Sequence, residues 1–307
     1  MKKIVLVLSL CLSTAFAAGE SFLDREVQLA NFGKIKYRAP QVNSDKLPLV
    51  LFHGIYGGAS HRTWRKLLPI LEAAGERVYI MDLPGVGESD RPKKQYKIED
   101  FDTFVEAFLT DVVKERATVV SESLLSASVL KVTAKRPDLV RRTVIINPSG
   151  VNSLNDPPSQ RQQALYDRFY NNDAGAIAFY KNLLTPQSIK YFLSFAFYDD
   201  SLVNNDLISD FTVASTNLDQ RWLTLSFVGG QLYRPFADSA KGIFTPVLAL
   251  FGDKYENFQD TPSATANDFM NIRPDFTYLE IVDSGSSIQR EKPEETAKEI
   301  IIFSEID

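Results

Sequence analysis

Short uninterrupted apolar runs alternate along this chain with segments whose apolar positions recur every three to four residues. Pro48-Leu49-Val50-Leu51-Phe52, Arg77-Val78-Tyr79-Ile80-Met81, Ala117-Thr118-Val119-Val120-Ser121, Arg142-Thr143-Val144-Ile145-Ile146 and Pro246-Val247-Leu248-Ala249-Leu250-Phe251 read as strands covered on both faces. A further strand is expected over 276–282. Trp64, Leu67, Leu68 and Leu71 predict one helix, and Phe101, Phe104, Val105 and Phe108 another. Helices are also expected over 124–135 and 293–303. Near the start, Val27-Gln28-Leu29-Ala30 and Lys34-Ile35-Lys36-Tyr37 flank Asn31-Phe32-Gly33, the pattern of a hairpin at a sheet edge. Strand and helix in alternation, with apolar strands, predict an α/β fold: a mainly parallel sheet with helices on both faces.

Between 151 and 240 the pattern changes. Strand-like runs nearly vanish, and aromatic residues such as Tyr166, Phe169, Tyr180, Phe192 and Phe195 crowd helical segments. This stretch is expected to form a helical lid inserted into the fold, dividing the core into a first part, 19–150, and a second, 241–307.

The first eighteen residues change the picture of where the chain works. Lys2 and Lys3, an apolar run from Ile4 to Leu12, and Ala15-Phe16-Ala17 have the three-part layout of a cleaved export signal. The apolar run is roughly half the length of a membrane span. The expected product is exported, periplasmic or extracellular, with no transmembrane segment in the mature chain. Cys11 is the one cysteine, so the mature chain would have no thiol or disulfide. The formal net charge is −5, and loss of Lys2 and Lys3 makes it two units more negative. An acidic chain without a basic stretch is a poor fit to nucleic acid.

Candidate chemistry gathers at Val119-Val120-Ser121-Glu122-Ser123-Leu124-Leu125-Ser126, where a buried strand ends on a serine and a helix begins at once. A serine so placed is lifted toward solvent beside free helix N–H groups, which makes Ser123 the candidate nucleophile. With His53-Gly54-Ile55-Tyr56-Gly57-Gly58 and the turn from Asp82 to Pro92, D-x-P-G-x-G-x-S-x-R-P in pattern, the chain resembles the lidded esterase and lipase branch of the α/β-hydrolase superfamily over nearly all of its mature length. The resemblance implies a sheet-and-lid fold, a nucleophile at Ser123, and an oxyanion pocket made by the Ile55 and Leu124 N–H groups.

The chain departs from that family's pattern at several positions. Ser121 and Leu125 stand where the G-x-S-x-G elbow has glycines, and a leucine there would either fill acyl space or relax the turn. Tyr255 stands where the family's acid is expected after Gly252, leaving Glu256 as a displaced candidate acid and Asp253 as a neighbour. Ser286 stands at the histidine position in Asp283-Ser284-Gly285-Ser286, and a hydroxyl cannot take a proton near neutral pH. Only two histidines exist: His53 in the oxyanion turn, read as structural, and His61, the candidate substitute base. Lys254 is a further substitute, provided burial uncharged it. Two such histidines without cysteine make no metal site, and no cofactor is expected.

The leading expectation is a fold with a degenerate triad that binds a small apolar or acyl-bearing molecule without efficient hydrolysis. The alternatives are a carboxylic-ester hydrolase using Ser123 with His61, and a scaffold whose lid surface meets a protein partner.

Overall fold

The computed structural model describes residues 16–254 and 262–306. Eight strands form one sheet: β1 (Arg25–Leu29), β2 (Gly33–Arg38), β3 (Leu49–Phe52), β4 (Val78–Met81), β5 (Ala117–Glu122), β6 (Val140–Ile146), β7 (Val247–Gly252) and β8 (Thr277–Ile281). Their order is β1-β2-β4-β3-β5-β6-β7-β8. The expected edge hairpin is present, with Val27 opposite Ile35, and β2 runs antiparallel to β4. From β4 through β8 every pairing is parallel.

Period-2 alternation assigns each strand residue to one of two cores. Val50, Phe52 and Val119 face the cluster built on Phe101, Phe104 and Phe108. Leu49, Leu51 and Val120 face the opposite cluster, with Trp64, Leu67, Ile300 and Phe303. The helices that cover these faces are α1 (Leu67–Ala73), α2 (Ile98–Phe108), α3 (Leu125–Lys135) and the C-terminal helix, α12 (Pro293–Glu305). With both faces covered, β3, β5 and β7 are buried throughout. Truncating one of these rings, Phe104 for example, should cost about 3–5 kcal/mol.

The single helix expected through Trp64 and Leu71 is in fact two elements, a 3₁₀ turn (His61–Trp64) followed by α1. Pro69 explains the break. Its missing N–H would leave a gap in a continuous helix, whereas three residues into a new one that N–H has no partner to lose.

Between β6 and β7 lie α4 (Gln160–Tyr170), α5 (Asp173–Leu183), α6 (Pro186–Ser194), α7 (Asn205–Ser215), α8 (Arg221–Val228) and the short α9 (Phe236–Ser239). The starts of four of them are set by side chains. Ser159, Asn172, Thr185 and Asn204 each accept a hydrogen bond from an N–H of the first turn of α4, α5, α6 and α7, a contribution of about 1 kcal/mol apiece. Ile189, Leu193, Phe197, Leu207 and Phe211 form a small core of their own, and Tyr56 of the sheet domain packs against it. The chain closes with α10 (Pro262–Ile272), α11 (Ile288–Glu291) and α12 (Pro293–Glu305).

Candidate active site and ligand cavity

Ser123 sits between the last residue of β5 and the first turn of α3 with φ at +56°, a left-handed conformation that an L-residue adopts at a cost of about 1–3 kcal/mol. Its N–H is pinned to the Ile146 carbonyl at the end of β6, 3.0 Å away. Gly54 comes so close that a Cβ there would lie 3.1 Å from the Ser123 Cβ and 2.7 Å from the Tyr56 ring. The residues at the two elbow glycine positions leave this turn sharp. Leu125 is fully buried in the core beneath α2 and is not among the residues that line the cavity, so neither consequence expected of it occurs. The Ser121 hydroxyl donates to Ser126 at 3.3 Å.

Ser123 opens onto a cavity of about 430 Å³. The sheet domain contributes Tyr56, Glu122, Asn147 and Ser286 to its wall, and the inserted helices contribute Leu184, Leu193 and Phe227 among other apolar residues. Ile55 and Leu124, the expected oxyanion donors, are buried beside Ser123, on the loop after β3 and at the start of α3. The N–H of Gly54 is engaged elsewhere: it donates to Glu122 Oε1 at 2.9 Å, as does the Tyr56 hydroxyl. Glu122 Oε2 accepts from Gln289 Nε2, which also donates to Thr63 Oγ1. A buried glutamate therefore holds the oxyanion loop in place. It is legible in the sequence only as a charge ending an apolar strand, a position that demands hydrogen-bond donors around it.

The structure does not bring His61 to Ser123. His61 is fully buried and directs Nδ1 at Asp82, 3.0 Å from both carboxylate oxygens, with its backbone N–H 2.6 Å from Oδ1. The Glu88 N–H is a third donor, 2.7 Å from Oδ2. Burial by itself would raise the Asp82 carboxyl, but the His61 and His53 imidazoles and these N–H groups outweigh it and hold the group well below the usual carboxylate range. His53 is occupied at both ring nitrogens: Nε2 accepts the Leu83 N–H at 3.1 Å, so Nδ1 carries the proton and donates to the Gly54 carbonyl at 2.8 Å. Burial lowers its basicity further.

Among the described residues the Ser123 hydroxyl has one hydrogen-bond partner, the Ser149 hydroxyl at 3.4 Å. Ser286 lines the same cavity, but its hydroxyl donates to the Ala196 carbonyl of the inserted helices at 3.3 Å, and the Ser287 N–H joins it at 3.2 Å. Asn147 Nδ2 binds the Ser286 carbonyl at 2.6 Å. Glu291 completes the seam by accepting the N–H groups of Gly285, Tyr198 and Asp199. Lys254 is no substitute base: its ammonium is bound to Asp253 at 2.6 Å, and that hydrogen bond raises its pKa. Tyr255 and Glu256 lie outside the described residues.

Donor atoms of His61, Asp82 and Glu88 approach within 4.8 Å of one another, as metal ligands would. The two carboxylates and His61 Nδ1 are already committed: Asp82 to His61 and two backbone amides, Glu88 to Arg62 and Ser21. This donor set does not suit a cation. No helix among the described residues is long and apolar enough to cross a membrane.

A family model described as alpha/beta hydrolase fold matches residues 48–289. The chain belongs to the α/β-hydrolase fold family. Within that family it is 30% identical to a haloalkane dehalogenase of Psychrobacter cryohalolentis over 128 residues, 39% of this chain and 40% of that protein. It is 25% identical to the dihydrolipoyllysine-residue acetyltransferase component of the acetoin cleaving system of Pseudomonas putida over 260 residues, 83% of this chain and 63% of that one. The α/β-hydrolase thus spans between two fifths and two thirds of the length of these relatives. Its fold is similar to that of the enol-lactonase from Burkholderia xenovorans LB400, with a TM-score of 0.70 at 17% identity over 91% of this chain and 99% of that one. It is also similar to a bacterial membrane phospholipase A, with a TM-score of 0.67 at 21% identity over 92% and 85% of the two chains.

Proposed function

We propose that this protein is an exported α/β-hydrolase whose cavity holds a small apolar or acyl-bearing molecule without efficient hydrolysis, the inserted helices serving as its lid. The observation that carries this reading is the company Ser123 keeps. Its hydroxyl faces another hydroxyl, while both imidazoles of the chain are bound to partners elsewhere. Proton transfer from a serine needs a base in direct reach. Loss of the histidine from a hydrolytic triad costs on the order of 10⁶ in turnover, leaving what the oxyanion hole and binding supply. The binding half of the reading is supported by an apolar cavity with a few polar groups and by helix N–H groups beside Ser123.

A fluorophosphonate probe on the signal-free protein tests the reading, with Ser123→Ala as control. Slow or absent labelling of Ser123 and ester turnover within about 10⁴ of the uncatalysed rate are expected. Rapid, Ser123-dependent labelling with efficient turnover would replace this reading with that of an ester hydrolase. Export rests on the pattern of the first eighteen residues, and cell fractionation checks it.

A further inference from the structure

We infer that the cavity selects its occupant by charge: Glu122 makes it a site for an apolar chain ending in a hydrogen-bond donor, an ammonium first and a hydroxyl second, and closes it to free carboxylates such as fatty acids. This rests on the reading of the cavity as a ligand site and narrows it.

The geometry is specific. Glu122 is 5% exposed, and among the described residues it is the only carboxylate lining the 430 Å³ cavity, to which no described lysine, arginine or histidine contributes. Its oxygens face three donors, the Gly54 N–H, the Tyr56 hydroxyl and the Gln289 amide, and no ion-pair partner among the described residues. A carboxylate offers about four acceptor directions. Three are filled, which leaves room for one more donor. Gln289 lies behind Glu122, fully buried and outside the cavity lining, with its Nε2 spent on Glu122 and Thr63. Arg290, the cation on the next residue, stacks over the Phe211 ring and lines a separate cavity of about 450 Å³. A ligand ammonium placed at Glu122 would complete an ion pair in a wall whose other described groups are apolar or uncharged. A ligand carboxylate there would meet a like charge with little water to screen it.

The test uses the signal-free protein and three probes of equal chain length, octylamine, octanol and octanoate, with affinity read by calorimetry and by shift of the thermal midpoint. Octylamine is expected to bind at least tenfold more tightly than octanoate, with octanol between them. Glu122→Gln is expected to abolish that order. Thr224→Trp, which fills the cavity, is expected to weaken all three, which separates this site from general attraction of amines to an acidic protein. Octanoate binding as tightly as octylamine to the unaltered protein overturns the charge selection and leaves the cavity reading standing. An order that persists in Glu122→Gln also overturns it. If none of the three binds, the cavity reading itself falls. The comparison among ligands on the unaltered protein decides the matter even where Glu122→Gln fails to fold.

Discussion

Two corners of this molecule each hold half of what a serine hydrolase needs. At the end of β4, Asp82 and His61 make a carboxylate–imidazole pair, fully buried and closed over by the edge of the Phe22 ring 4.6 Å away. At the end of β5, Ser123 keeps its strained elbow and faces an open cavity, but its neighbours are hydroxyls. In the first corner most polar atoms are spent on the chain itself: Asp82 gathers the His61 and Glu88 amides, and His53 links the Gly54 carbonyl to the Leu83 N–H, while His61 Nε2 is buried without a hydrogen-bond partner among the described residues. In the second, the Ser123 hydroxyl and the Glu122 carboxylate border open space. The difference teaches that an imidazole beside a carboxylate is not a catalytic pair when nothing reactive can reach it. The strained backbone at Ser123, in turn, is fixed by β5, α3 and Gly54 and needs no base beside it.

The largest loss is expected from disrupting the closed corner. Asp82→Ala leaves the His61 imidazole and two buried amides without an acceptor, and a loss of about 3–5 kcal/mol is expected in urea unfolding. The sign with pH follows from the depressed Asp82 carboxyl. The folded form holds the charge while the unfolded chain titrates near 3.8, so the stabilisation is fully present above that value and is lost as pH falls below it. Acid unfolding below about pH 4 should therefore be steeper for the unaltered protein than for Asp82→Asn. An equal slope would mean that the pair contributes nothing through its charge.

A smaller effect sharpens the account of the open corner. Ser123→Ala and Ser123→Gly both remove the hydroxyl, but only glycine is at ease with φ at +56°. The left-handed cost of about 1–2 kcal/mol is partly offset by the greater freedom of glycine in the unfolded chain, about 0.5–1 kcal/mol. Ser123→Gly should be more stable than Ser123→Ala by about 0.5–1 kcal/mol. Equal stability would mean that the left-handed cost at residue 123 is no larger than the glycine's gain of freedom in the unfolded chain, about 0.5–1 kcal/mol.

The architecture was largely written in the apolar pattern. Each of the strands expected from unbroken runs forms, because a parallel strand buried on both faces cannot carry polar positions at period 2. The elbow was legible from Ser123 at the junction of strand and helix. What the chain order hid was pairing across distance. Nothing in a linear reading says that His61 turns to Asp82, twenty-one residues on, rather than to Ser123. Nor does it say that Glu122, a single charge in an apolar run, would collect donors from the loop after β3 and from α11. Tyr56, Asn147 and Glu291 were missed for the same reason: Tyr56 donates to the distant Glu122 side chain, and the other two bond backbone atoms of other segments.

The subtlest prediction concerns the seam between the two regions, where Glu291 accepts the Gly285, Tyr198 and Asp199 N–H groups at 2.6, 2.9 and 3.0 Å. Burial raises this carboxyl above its ordinary value of 4.5, against the pull of those three amides. A carboxyl raised by folding stabilises most below pH 4.5, and its contribution is lost as pH rises through the raised value, the opposite sense to Asp82. Glu291→Gln removes that dependence. It also sets an NH₂ group against the Gly285 N–H while leaving one oxygen for Tyr198 and Asp199. The expected result is a global stability within about 1 kcal/mol of the unaltered protein. Amide-exchange protection should fall at Gly285 first and more weakly at Tyr198 and Asp199, if the inserted helices open along this seam. Protection unchanged at all three would place the hinge of any opening elsewhere, since loosening Glu291 would then leave the helices as firmly docked on the Ser286 loop as before.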